Sequence, residues 1–319
     1  MKLIALENTP VDYTANVKDD FIYAYNLQKG QFNSIDAKQM ALFEKVLAAS
    51  RSPGGSAANV CHGFSNLGME SAFIGSIGDD EAGSYYAGEL QKAGVIPYLE
   101  TKKGPTGKCM TLITYDKERT FAMNMGKSSS LLPREFNPSH IATSGIFHTT
   151  AYALDSMYRT VKRAMKIAKK NQVKISFDLA SVISIRRHMR RIRHLLENYV
   201  DIVFANEEEA MAFTGAGSPD LTLDILAANG KTAVVKLGPK GAMAKGPSGW
   251  SAMCDSYKVF QVRNTNGAGD AFAAGFLYGV AKGFSLAKRI KAGAFYASKV
   301  VEVESARLPY RISNIEDLI

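Results

Sequence analysis

Three short apolar runs punctuate the middle of the chain: ISFD at 175–178, DIVFA at 201–205 and TAVVKL at 232–237. Continuous runs of this length suit strands buried on both faces of a parallel sheet. Between and around them lie amphipathic stretches, SMYRTVKRAMKIAKKN (156–171) and DLTLDILAANG (220–230), which predict helices, the second closed by Gly230. From about residue 130 onward this alternation predicts an α/β fold, a doubly wound, mainly parallel sheet flanked by helices.

The first third has a different period. VDYTANV (11–17), KCMTLITYD (108–116) and RTFAMNM (119–125) show alternation or a tight turn, as half-exposed antiparallel strands do. They predict a small β-sheet lid formed by about 11–37 and 97–126, inserted in the α/β core and closing over ligands at the C-terminal edge of the main strands. No Pro, Gly or Ser-rich linker divides the chain, so residues 1–319 are expected to form one domain. An exposed edge of the small sheet offers a surface for a homodimer.

Composition narrows the class. The 46% hydrophobic and 22% charged fractions are ordinary for a globular chain, and no run approaches the roughly 18 apolar residues of a membrane span. The apolar start of MKLIALENTPVDY is too short for an export signal, so a cytoplasmic protein is expected. Cys61, Cys109 and Cys254 lack the spacing of a disulfide framework or a zinc site and read as packing residues. The formal charge of +9 suits an anionic partner, but its densest cluster, Arg186, Arg187, Arg190, Arg191 and Arg193, alternates with Ile185, Met189, Ile192 and Leu196 at helical spacing. That pattern is the wet face of a helix, and no nucleic-acid-binding motif accompanies it.

Candidate chemistry concentrates in YKVFQVRNTNGAGDAFAAGFLYGVAKG (257–283), which predicts a strand, a glycine-rich turn and a helix of small residues. In such a unit Gly267, Ala268 and Gly269 can turn successive backbone N–H groups toward one anion, reinforced by the helix N-terminus. Asp270 at the rim can take the proton of an attacking hydroxyl; the bland alternative is a helix cap after a glycine turn. PGGSAANV (53–60) offers Gly54 and Gly55 for close approach of a ligand and Asn59 as donor and acceptor, or simply a turn leading into a helix. In ANEEEA (205–210), Asn206 and Glu209 sit after a strand, where acids also favour a helix dipole. Phe121 and Met123 alternate with polar neighbours and form either a substrate-facing or a packed surface. His148 and Asp178 end strands without an evident role.

NTNGAGD (264–270) resembles the D-T-x-G-A-G-D signature of the PfkB carbohydrate kinases, the ribokinase-like kinases that include adenosine kinase. The likeness runs from ENTPVD (7–12) to the helix around Ala294. It implies an ATP-dependent transfer of the γ-phosphate to a hydroxymethyl group of a sugar or nucleoside, with Asp270 as base and the 267–269 amides as anion hole. It further implies that Asp12, Gly54, Gly55 and Asn59 hold the acceptor, and that Asn206 and Glu209 order water around Mg²⁺. VVKLGPKGA (234–242) resembles the family's ATP-lining strand and turn, which gives Lys236, Gly238 and Gly241, together with Thr265; Lys236 replaces a threonine and faces either phosphate or solvent. Gly293 and Ala297 either leave room for adenine or serve helix packing. Asn264 stands where the family has an aspartate that helps bind a monovalent cation, which puts a K⁺ requirement in doubt. The same departures motivate a rival reading, a non-catalytic sugar or nucleotide sensor with the kinase fold.

Overall fold

A computed structural model describes residues 1–319. Fourteen strands divide between two sheets. In chain order they are β1 (Leu3–Leu6), β2 (Val11–Asn16), β3 (Phe32–Ser34), β4 (Ser50–Pro53), β5 (Ser71–Gly78), β6 (Val95–Lys102), β7 (Thr106–Ile113), β8 (Arg119–Gly126), β9 (Ile146–Thr150), β10 (Lys174–Asp178), β11 (Ile202–Asn206), β12 (Thr232–Lys236), β13 (Ala242–Lys245) and β14 (Ser251–Cys254). The large sheet runs β14-β13-β12-β11-β10-β9-β1-β5-β6 and is parallel except where β13 and β14 turn back. Its central strands are buried along nearly their whole length, which is why they carry continuous apolar runs. Helices cover both faces, and one apolar cluster lies on each side of the sheet.

Parallel pairing brings the C-terminal ends of β10, β11 and β12 to one edge, so Asp178, Asn206 and Lys236, the last residues of three neighbouring strands, meet there. Ligands of open α/β sheets bind at this edge.

The small sheet runs β3-β8-β7-β2-β4. Three expectations about this region are corrected. Pairing is not purely antiparallel: β2 lies parallel to β7, and β3 to β8. Residues 97–102 belong to β6, which pairs along its length with β5 in the large sheet. The small sheet instead gains β4, whose polar sequence SRSP gives no strand signal because it is an edge strand paired on one side, to β2. In register, Asp12 pairs with Cys109 and Cys109 with Met123, while Thr14, Thr111, Phe121 and Phe32 form the next row on the same face. Asp12, Met123 and Phe121 therefore share one side of the sheet, because paired residues project together.

The arginine-rich segment forms the helix Val182–Asn198, capped by Ser181, with its arginines exposed and Ile185, Ile192, Leu195 and Leu196 buried. The cysteines are free. No helix is long and apolar enough to cross a membrane.

Candidate active site

A cleft of about 560 Å³ opens at the C-terminal strand edge. Its walls include Asp178, Asn206, Glu209, Lys236, the 238–241 turn and the 265–270 segment. Its floor is the helix Ala268–Ala281, whose first turn follows Gly267. Gly267 has φ +76°, and a Cβ there would lie 2.7 Å from the Ala306 carbonyl oxygen, so conformation and space both demand glycine. The Ala268 N–H closes back on the Thr265 carbonyl at 3.2 Å. This corrects the expectation of three successive open amides: those left without a backbone partner at the helix start are Gly267, Gly269 and Asp270.

The predicted strand YKVFQV is absent. Residues 255–265 have no helix or strand and bend at Phe260, which is 99% exposed. Tyr257, Val259 and Val262 line the cleft instead, so the apolar alternation of this segment belongs to a cleft wall and not to a sheet face.

Asp270 lies between two donors from the helix Ser56–Asn66. Ser56 Oγ donates to Oδ1 at 2.6 Å and Asn59 Nδ2 to Oδ2 at 2.8 Å. Burial pushes the Asp270 carboxyl up to about 6, although these two hydrogen bonds favour the ionised form. The helix supplying them has Gly55 as its N-cap, which offers no capping side chain, so Glu7 after β1 reaches across and accepts from the Ala57 N–H at 2.7 Å. Burial raises Glu7 to about 8.

Lys236 is a fixed cation of the site. Its Nζ donates to Asp178 Oδ2 at 2.9 Å, with side chains only 14% and 4% exposed. A Cβ on Gly269 would stand 3.1 Å from that Nζ, so the ammonium lies against the helix start. Burial alone would lower its pKa, but the carboxylates of Asp178 and Glu209 outweigh it and the pKa is raised. Sequence reading left Asp178 without a role, because a partner 58 positions away is invisible to local patterns.

Asn206 and Glu209 form a reciprocal cap on the helix Glu207–Thr214: the Glu209 N–H donates to Asn206 Oδ1, and the Asn206 backbone and side-chain N–H groups donate to the two Glu209 oxygens, each at 2.8 Å. Burial, then the Asp178 charge, pushes Glu209 up to about 7.

Beyond Asp270 lies a second group. Asp12 sits over Gly54, where a Cβ would approach its carboxyl atoms to 2.5 Å. Burial raises Asp12 to about 7, opposed by the Arg307 charge. Phe32 stacks on Phe121 at 4.5 Å on the face shared with Asp12. Arg119 at the start of β8 donates to Asn266 Oδ1 at 2.7 Å, joining the small sheet to the glycine turn. Asn59 is engaged at both ends of its amide, by Asp270 and by Arg307, whose Nε donates to Asn59 Oδ1 at 2.8 Å. Gly238, Gly241, Thr265 and Ala297 line the cleft. Gly293 turns away from it and packs on Phe272, where a Cβ would meet ring atoms at 2.9 Å. His148 is buried in the sheet against Ser176.

Residues 31–312 match the family described as pfkB family carbohydrate kinase. The 5-dehydro-2-deoxygluconokinase of Bacillus licheniformis is 29% identical, over 96% of this chain and 98% of that protein. The guanosine-inosine kinase of Escherichia coli K12 is 30% identical over 70% of this chain and 55% of its own length. The crystal structure of adenosine kinase from Sinorhizobium meliloti superimposes with a TM-score of 0.89 at 28% identity, covering 99% of this chain and 98% of that one. With the match spanning most of its length, this chain belongs to the pfkB family of carbohydrate kinases.

Proposed function

We propose that the protein transfers the γ-phosphate of ATP to a hydroxymethyl group of a sugar or nucleoside. The observation that carries this reading is Asp270, held between Ser56 and Asn59 at the inner end of the cleft, beside the open amides of the helix start. ATP occupies the cleft between the 238–241 turn and the Ala294–Ala297 wall, with its phosphates toward Lys236. The acceptor lies under the small sheet, its hydroxyls donating to Asp12, whose carboxylate receives no protein hydrogen bond, and its apolar side against Phe121 and Met123. In the transfer the acceptor oxygen bonds to phosphorus as the bond to the β,γ-bridging oxygen breaks. The hydroxyl proton passes to Asp270, while the Gly267, Gly269 and Asp270 amides and Lys236 face the charge on the migrating group.

Three carboxylates, Asp178, Glu209 and Asp270, share the cleft with one lysine, and this surplus of negative charge fits a cation. Both Glu209 oxygens are already held by Asn206, and no trio of ligating side chains converges, so the residues fit hydrated Mg²⁺ contacted through water by Asn206 and Glu209. When bound, Mg²⁺ neutralises the β- and γ-phosphate oxygens.

Asn264 argues against a K⁺ requirement. Its Nδ2 donates to the Glu304 carbonyl at 2.6 Å, and an N–H group, unlike a carboxylate, repels a cation and occupies the carbonyl oxygen that could ligate one. ATP consumption measured over ribose, fructose, other hexoses and the common nucleosides, with and without K⁺, tests both points. One acceptor class should be phosphorylated at a rate indifferent to K⁺. Binding of these compounds without ATP consumption would instead establish the sensor reading.

A base must be ionised to work, and the Asp270 carboxyl titrates near 6. Accordingly kcat at saturating acceptor should fall about tenfold per unit below about pH 6, whereas kcat/KM should begin to fall near 7, where free Asp12 takes up a proton. A flat profile down to pH 4.5 would contradict the titration of a buried base in this range, a bound carried over from ordinary carboxylates at about 4.

A further inference from the structure

The chain after its last long helix, residues 301–314, has no helix or strand, yet it delivers one side chain into the site. Ala306 packs under Gly267, which brings the next residue, Arg307, in beside the glycine turn. Its Nε donates to Asn59 Oδ1 at 2.8 Å, and Asn59 Nδ2 in turn donates to Asp270 Oδ2 at 2.8 Å. A guanidinium only donates and a carboxylate only accepts, so the amide between them has a single orientation. Arg307 Nη2 is buried without a partner, and the carboxylates of Asp12 and Asp270 are among the charges around the guanidinium. Arg307 forms no ion pair, and a buried charge without one is a cost that folding alone does not favour.

We propose that Arg307 is a positioning residue for the base: by occupying Asn59 Oδ1 it locks the amide with its N–H toward Asp270, keeping that carboxylate ionised and aimed at the acceptor hydroxyl. The inference rests on Asp270 being the base. Without Arg307 the amide loses its second anchor and can swing away from the carboxylate, and a carboxylate with one donor fewer favours the protonated acid. The base would also lose one of the two contacts that fix its rotamer, the other being Ser56.

Several groups face Asp270 from the packed elements: Glu7 after β1, Tyr152 after β9, Asp178 at the end of β10, Glu209 on the helix after β11, and Lys236 at the end of β12. Substitution at Asn59 leaves all of these in place, and substitution at Arg307 leaves them too but also lets Asp12 titrate higher, which bears on the free enzyme and not on the acceptor-bound complex. The two routes by which Arg307 can act, through Asn59 or directly by charge, are therefore separable.

The test is a set of pH profiles of kcat at saturating acceptor, with KM at the plateau, for the wild type, Arg307→Gln, Asn59→Ala and the double variant. Arg307→Met serves as a second neutral substitution, and far-UV circular dichroism checks that each is folded. Each single variant should move the acid limb upward by about one pH unit and lower kcat about tenfold. The double variant should move the limb no further than either single. Additive shifts would overturn the relay, because Arg307 would then act on the base by charge alone. An unmoved limb with a raised acceptor KM would also overturn it and make Arg307 an acceptor contact. Asp270→Asn run in parallel separates the two levels: if it retains turnover, the base assignment fails first and takes the relay with it.

Discussion

Asp270→Asn should lower turnover roughly 10²-fold to 10⁴-fold, the range of general-base effects, while leaving the fold and acceptor binding intact. The substitution is nearly isosteric, and the surroundings can accept it. Asn59 Nδ2, pinned by Arg307, still finds an oxygen on the new amide, and the Ser56 hydroxyl can rotate to accept from the new N–H. The Ser56 O–H loses its acceptor but lines the cleft and can turn to solvent, so thermal stability should change little. What disappears is the ability to take the hydroxyl proton. The loss should therefore appear in kcat, with acceptor KM almost unchanged, since hydroxyl contacts to Asp12 do not depend on the base. Unchanged kcat in steady-state assays would remove Asp270 from the role.

Asp270 was legible as a candidate base because the turn it follows is local. The left-handed turn at Gly267 and Asp270 lie within a few residues of each other, whereas which amides stay open was not legible, because Ala268 closes back on Thr265. The central strands were legible for a similar reason: burial on both faces forces every position of 202–205 and 232–235 to be apolar or small. The same rule misleads at 257–262, where apolar residues line a cleft wall without joining a sheet, and periodicity carries no information about which of these they do. It fails again at β4, which is polar because it is exposed, and which is a strand only because β2 lies beside it. The side chains that tune the site are the least readable. Ser56 meets Asp270 across 214 positions and Arg307 meets Asn59 across 248, so only the closed fold puts them together. One further distinction needed coordinates: Ala297 lines the cleft while Gly293, one helical turn earlier, packs away from it.

Lys236→Met should have the largest combined effect on stability and activity. Removing the ammonium leaves Asp178 in a buried position without its counter-charge, and breaking one side of a buried pair costs about 3–5 kcal/mol. It also removes the lysine that stands among three carboxylates of the cleft and against the helix start where the phosphoryl group must pass. Glu209 and Asp270, both held down in part by that charge, should titrate higher, and the acid limb of the rate profile should climb with them. On the proposed role of Lys236 as a phosphate contact, kcat should fall by about 10²-fold and the ATP KM should rise. The double variant Lys236→Met with Asp178→Asn separates the two roles. It removes the stranded charge yet keeps Oδ1 for the Ala180 N–H, which donates to it at 2.9 Å, so urea unfolding should show most of the stability restored. Turnover should stay low, because neutralising Asp178 does not return a cation to the phosphates. If turnover recovers together with stability, Lys236 serves only to neutralise Asp178, and the phosphates are held by the amides alone.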